Sequence, residues 1–143
     1  MKNKTALITG ATSGIGRAIA KNFANNGLHV ILCGRRQKRL DALQKELSEI
    51  TKVHTLNFDV RDKKTVFEQL QNLPEAFSKI DILINNAGNA HGKDPIHEGN
   101  TDDWDAMIDI NVKGLLYVTK AVIPQMIDRK SGHIINIGST AGK

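Results

Sequence analysis

The chain of 143 residues has a single cysteine, Cys33, one tryptophan, one tyrosine and four phenylalanines, and each shortage removes a class of function. One thiol can neither close an internal disulfide nor build a thiolate metal cluster, so nothing calls for an oxidising compartment and the expected location is cytoplasmic. So few aromatic rings leave little surface on which to stack bases. The 20 basic residues exceed the 15 acidic ones to give a net charge of +5, but they are scattered over Lys2, Lys4, the 35–45 stretch, Lys63, Lys64, Arg129 and Lys130 rather than gathered in one tract. No nucleic-acid partner is expected on that pattern. No apolar run reaches membrane-spanning length, and the one near the N-terminus is strand-sized and ends in a glycine turn, so neither a membrane partner nor a signal peptide is expected. The histidines at 29, 54, 91, 97 and 133 show no i, i+4 pairing, and no metal site is expected.

What is present is an alternation of apolar strand-length runs with helical periodicities, without a linker, repeat or low-complexity tract. That is the pattern of an α/β domain, and the length suits one unit over residues 1–143. Strands are predicted over residues 6–9, 28–33, 53–58, 80–84 and 133–137. The first helix follows Gly14 and places Ile15, Ala18, Ile19 and Phe23 on one face. A second, over residues 37–50, carries Leu40, Leu43 and Leu47. A third, capped by Asp62, carries Val66, Leu70 and Leu73. Thr101, Asp102 and Asp103 make a capped and dipole-matched start for a long helical region over residues 101–129, which Pro124 is expected to bend near its end. Trp104 in that region reads as a core anchor. Apolar residues on several sides of the same region predict a subunit interface and hence a homo-oligomer.

Residues 5–16 run from an apolar strand through a glycine turn into a helix. Gly10, Gly14 and Gly16 let the backbone turn tightly, and the first N–H groups of the helix, with its positive dipole end, face an anion. Alone this is a weak signal. Four further polar signals stand at strand ends: Arg35 and Arg36 after the second, Asp59 and Val60 after the third, Asn85 to Gly88 after the fourth, and Ser139 after the fifth. In an open parallel sheet the ligand crevice lies at that carboxyl edge, so the five signals converge on one site. Guanidinium groups after strand two, where no carboxylate stands, suit a 2′-phosphate rather than free ribose hydroxyls.

Those motifs, together with Asn111 in Asn111-Val112-Lys113-Gly114 and the block over residues 134–142, resemble the short-chain dehydrogenase/reductase family over nearly the whole chain. Residues 33–40 and 132–142 look most like the NADP-dependent 3-hydroxy acid dehydrogenases that act on serine and allo-threonine. The resemblance implies a Rossmann-like doubly wound parallel sheet, of which these residues supply five strands. It implies NADP as cofactor and hydride transfer to or from a small-molecule substrate, a hydroxy compound such as a 3-hydroxy acid. Gly10, Thr12, Ser13, Gly14, Ile15 and Gly16 would wrap the pyrophosphate and adenosine ribose. Arg35 and Arg36 would take the 2′-phosphate, Asp59 the adenine amino group, and Val60 the adenine ring. Asn86, Ala87 and Gly88 would hold the strand-four loop against the cofactor. On the catalytic side, Ser139 would bond the substrate oxygen and Asn111 would hold a helix irregularity that binds a relay water.

The family's Tyr-x-x-x-Lys is not among the 143 residues. A phenol with an unperturbed pKa near about 10 needs a neighbouring positive charge to exchange protons at neutral pH. Tyr117 has Ala121, not lysine, four residues on. These residues are therefore expected to be the amino-terminal part of a longer enzyme and inactive alone. The alternatives are a non-catalytic nucleotide-binding or interaction module, or a short-chain reductase for another substrate such as a 3-oxoacyl thioester.

Overall fold

The computed structural model describes residues 2–92 and 94–139. Five strands, β1 Thr5–Thr9, β2 His29–Gly34, β3 Val53–Asn57, β4 Ile82–Asn85 and β5 His133–Asn136, form one sheet in the order β3-β2-β1-β4-β5. All four pairings are parallel. The helices are α1 Gly14–Asn25, α2 Gln37–Ser48, α3 Lys63–Gln71, α4 Thr101–Ile108 and α5 Leu115–Asp128. The expected doubly wound α/β fold is what forms. The chain leaves β1 toward β2 and β3, then crosses back to lay β4 on the other side of β1, so the switch point lies between β1 and β4.

Strand residues alternate between two cores, as a pleated sheet covered on both faces requires. Ala6, Ile8, Val30, Leu32, Ile82 and Ile84 meet Ala20 and Ala24 of α1 and Leu40, Leu43 and Leu47 of α2. Leu7, Ile31, Cys33 and Leu83 meet Val66 and Leu70 of α3 and Val118, Val122 and Met126 of α5. Burial pushes the Cys33 thiol pKa up, which keeps it protonated and unreactive.

Several expectations shift. In α1 the residues that bury are Gly16, Ala20 and Ala24, whereas Ile15 and Ala18 are exposed and Ile19 and Phe23 only partly covered. Small side chains let α1 sit close to the sheet, and the bulky apolar residues are displaced to its flanks. β4 starts at Ile82 rather than Ile80, and Asp81 just before it binds the start of β1: its carboxylate accepts from Thr5 N at 3.0 Å and its own N–H donates to Thr5 O at 2.9 Å. Asp62 caps α3 as expected, accepting from Thr65 N at 3.1 Å. The cap of α4 is Asn100 rather than Thr101, with Asn100 Oδ1 accepting from Asp102 N at 2.9 Å, while Asp102 and Asp103 occupy the first turn. Trp104 is only partly buried, outside both cores of the described residues, with its ring over Gly99. The long helical region is interrupted by a π-helical segment, Asp109–Gly114, between α4 and α5. Pro124 lies inside α5, which continues to Asp128.

Candidate dinucleotide and substrate site

The strand ends surround a cleft of ≈ 970 Å³ at the carboxyl edge of the sheet. Of the residues singled out in the sequence, Gly10, Thr12, Ser13, Gly14, Ile15, Arg35, Arg36, Asp59, Val60, Asn86, Ala87, Gly88, Asn111 and Ser139 all line it. Gly16 alone lies behind the wall. A Cβ there would stand 2.5 Å from the Gly10 carbonyl oxygen, so its work is to bring α1 against the turn. Gly14 has a different reason to be glycine: its φ is +52°, and a Cβ would point into open space above the start of α1.

Ser13, at the N-cap of α1, makes no side-chain cap bond, so the first N–H groups of the helix are left for a ligand rather than for a hydroxyl. The Ser13 hydroxyl instead accepts from Arg36 Nη2 at 3.0 Å, and the same nitrogen donates to Thr12 Oγ1 at 3.3 Å. This folds the Arg36 guanidinium back over the glycine turn. Arg35 turns the other way, toward Asp59, with Nη1 to Oδ2 at 3.5 Å. Asp59 is also held by Arg61, which donates from its backbone N, Nε and Nη2. Partial burial pushes the Asp59 pKa up, but the Arg61 bonds and the Arg61 and Arg35 charges outweigh it and hold the carboxyl below its usual range.

The floor of the cleft is cross-tied. Asn86 Nδ2 donates to Thr9 O at 3.0 Å and Gly10 O at 3.2 Å, joining the β4 loop to the glycine turn. Thr9 Oγ1 accepts from Asn86 N at 3.0 Å and Ala87 N at 2.9 Å. Asn85 Nδ2 donates to Thr119 Oγ1 and Asn136 Oδ1, each at 2.9 Å, which links β4 to α5 and β5. Asn111 sits in the π-helical segment and grips the backbone of Asn89: its Oδ1 accepts from Asn89 N at 3.0 Å and its Nδ2 donates to Asn89 O at 2.8 Å. Ser139 follows β5 on the cleft wall, whereas Thr140, Ala141 and Gly142 of the same block lie outside the described residues. Tyr117 packs against the α3/α5 core and is not part of the cleft lining.

Residues 4–143 match the family model of the short chain dehydrogenases. The chain belongs to that family. It is 52% identical over 136 residues to the NADP-dependent 3-hydroxy acid dehydrogenase YdfG of Salmonella typhi, covering 95% of this chain and 54% of that protein. It is 50% identical over 138 residues to sulfoacetaldehyde reductase 2 of Chromohalobacter salexigens, covering 96% and 55% respectively. Among solved structures, the closed form of serine dehydrogenase complexed with NADP+ superposes with a TM-score of 0.90 at 49% identity, over 96% of this chain and 55% of that one. The chain thus spans about half the length of the curated relatives it matches. The polar strand-end residues gather at the carboxyl-edge crevice, where open parallel sheets take their ligands.

Two residues that bond to the cleft residues, Thr9 and Arg61, were not singled out in the sequence. Thr9 was legible only as part of a motif, although a hydroxyl closing an otherwise apolar strand is a signal in itself. Arg61 stands two residues past Asp59, and nothing in its spacing reveals that it takes that carboxylate.

Proposed function

We propose that this chain carries the cofactor half of an NADP-dependent oxidoreductase that moves hydride between the nicotinamide and a small hydroxy compound, a 3-hydroxy acid being the favoured substrate. The observation that carries the reading is the Arg36 guanidinium, bonded to Ser13 at 3.0 Å and Thr12 at 3.3 Å at the mouth of the glycine turn, with Arg35 beside it. A fixed guanidinium beside the turn that would take the pyrophosphate is placed for a 2′-phosphate. The residues fit a dinucleotide: the uncapped start of α1 and the open space above Gly14 form an anion cradle, and Val60, Ala87 and Ile15 give apolar walls for the rings.

When bound, NADP supplies the hydride acceptor or donor. The chain's own part is to orient and to handle protons. Ser139 donates a hydrogen bond to the substrate oxygen, and Asn111, bonded to the Asn89 backbone, holds the π-helical irregularity that binds a relay water. Tyr117 is partly buried against the α3/α5 core and away from the cleft, so it is not the phenol that this family uses for proton transfer.

The protein works in the cytoplasm as a homo-oligomer. Ile108, Val112, Leu116 and Ile127 are exposed on α4, the π-helical segment and α5, opposite the buried Val118, Val122 and Met126, and a second copy covers them. No helix among the described residues is long and apolar enough to cross a membrane. Sedimentation of the full-length protein tests the assembly, and a monomer at micromolar concentration refutes it.

The function is tested by titrating NADP+ and NAD+ into the full-length protein and its Arg36→Ala variant, then following NADPH formation with serine and other 3-hydroxy acids. Loss of one charge-assisted bond to the 2′-phosphate, about 1.5–3 kcal/mol, weakens NADP+ binding about ten- to a hundredfold and leaves NAD+ unchanged. Equal affinity of the parent for both nucleotides rules the reading out.

A further inference from the structure

The cofactor reading gives Asp59 one task, to accept from an adenine amino group, yet its carboxylate already has a dense set of protein partners. Arg61 Nη2 lies 2.7 Å from Oδ2, Arg61 Nε lies 3.1 Å from each oxygen, and Arg61 N donates to Oδ1 at 3.0 Å. Arg35, arriving from the end of β2, stands farther off at 3.5 Å from Oδ2, and its side chain is 57% exposed. Two guanidiniums therefore share one carboxylate, and Arg61 holds the larger part of it.

We infer that Arg61 is a specificity-determining residue, which by occupying Asp59 keeps Arg35 from closing onto that carboxylate and leaves it available to a 2′-phosphate. The inference rests on the NADP reading above. Its physical basis is competition. Arginine and carboxylate prefer a fork-shaped pair of short bonds, and the edge of a guanidinium that is forked onto a carboxylate and turned toward it is not available to a phosphate. With Arg61 in place the Asp59 charge is compensated and its lone pairs are taken, so the remaining pull on Arg35 is weak, and 3.5 Å is beyond a good N–H···O bond. Without Arg61, Arg35 becomes the nearest cation to a bare carboxylate and collapses onto it. That capture of Arg35 is felt by a doubly charged phosphate and not by a ribose hydroxyl, so the change appears in NADP+ relative to NAD+. Arg36 has its own tether to Ser13 and Thr12, so the loss is partial.

The same logic assigns Asp59 a role opposite to that of a simple adenine ligand. Losing an adenine contact weakens both nucleotides alike. Losing the carboxylate that competes for Arg35 does not lower the preference for NADP+, and it cancels the effect of removing Arg61.

The test is a cycle of four full-length proteins: parent, Arg61→Ala, Asp59→Asn and the double variant, each titrated with NADP+ and with NAD+ and checked for an unchanged melting transition. The expected result is a fall of about three- to tenfold in the NADP+/NAD+ affinity ratio for Arg61→Ala, a fraction of one full charge-assisted bond. Asp59→Asn keeps the parent ratio or exceeds it, and the double variant returns to within about twofold of the Asp59→Asn value. A destabilising defect at Arg61 would not be repaired by removing a second bond. An unchanged ratio in Arg61→Ala overturns this inference while the cofactor reading stands. A lowered ratio that the double variant does not restore also overturns it, because Arg61 then acts through its own charge. A parent with no preference for NADP+ overturns the cofactor reading and this inference with it.

Discussion

Replacing Thr9 by valine removes one hydroxyl and keeps the shape of the side chain, so the change isolates what that oxygen does. Thr9 is 2% exposed, and its Oγ1 accepts from Asn86 N at 3.0 Å and Ala87 N at 2.9 Å while lying 3.4 Å from the Ile84 carbonyl to which it donates. Valine leaves both N–H groups without that acceptor. An orphaned buried donor costs about 1–3 kcal/mol, and because Asn86 and Ala87 are only partly buried the lower half of that range applies to each, giving about 2–4 kcal/mol together. Against a domain stability of about 5–15 kcal/mol this is a large fraction. Urea unfolding of the full-length protein should show the midpoint falling by about 1–2 M with an unchanged slope, on a typical slope of about 1–3 kcal/mol per M. Thr9→Ser keeps the oxygen and should lose less than about 1 kcal/mol, the cost of one buried methyl. A Thr9→Val protein within about 0.5 kcal/mol of the parent, the range of an inert surface change, would refute the idea that this hydroxyl ties the β4 loop to β1.

Two further outcomes can be checked. Asn111→Ala deletes both bonds to the Asn89 backbone, so turnover of the full-length enzyme should drop about a hundredfold through misplacement of the π-helical segment, with NADP+ affinity little changed; equal losses in binding and turnover would contradict the role given to Asn111. His54, on β3 with its ring 5.3 Å from that of Phe77, has its pKa lowered by burial. Its folded pKa lies below the unfolded value of about 6.5, so the unfolded chain binds the extra proton and stability is fully present above that pH and declines as pH falls through the folded value. The urea midpoint should therefore decline over that window in the parent and less in His54→Phe, and equal pH slopes would count against the burial argument.

The fold was legible where apolar pattern and pleat carry the same information. Leu7 and Ile8, or Ile31 and Leu32, are adjacent apolar residues that face opposite cores, and an uninterrupted run of such residues has a natural place in a parallel sheet covered on both sides. Legibility failed where a polar side chain works across a long sequence separation. Asp81 interrupts an apolar run, and only its bond to Thr5, 76 residues away, accounts for a carboxylate at that position. The first helix was misread for a different reason: periodicity picks the largest apolar residues, whereas close approach of α1 to the sheet selects Gly16, Ala20 and Ala24. At the site, each strand-end residue could be placed because the topology of a parallel sheet delivers strand ends to one edge. Pairings among those side chains, such as Arg61 with Asp59 or Asn111 with Asn89, depend on rotamers and loop paths that no spacing rule encodes.

The cleft is built in two ways, and the difference predicts how it responds to change. Its floor is held by short, mostly backbone-directed bonds: Thr9 to Asn86 and Ala87, Asn86 to Gly10, and Asn111 to Asn89. The loop after β4 is thereby tied at one end to β1 and at the other to the π-helical segment, so the walls that meet the nucleotide are in place before it arrives and little ordering is needed on binding. The rim is made of Arg35, Arg36, Arg61 and Asp59, long or charged side chains on loops, held by side-chain contacts in partly exposed surroundings. Such ion pairs add little to folding stability, yet they decide where positive charge is presented. Substitutions at Thr9 and Asn86, which tie the β4 loop to the glycine turn, should therefore lose stability and binding together. Substitutions in the rim should redistribute preference between phosphorylated and unphosphorylated nucleotides while the fold is unaffected, because the interactions that discriminate are not those that hold the sheet and its loops in register.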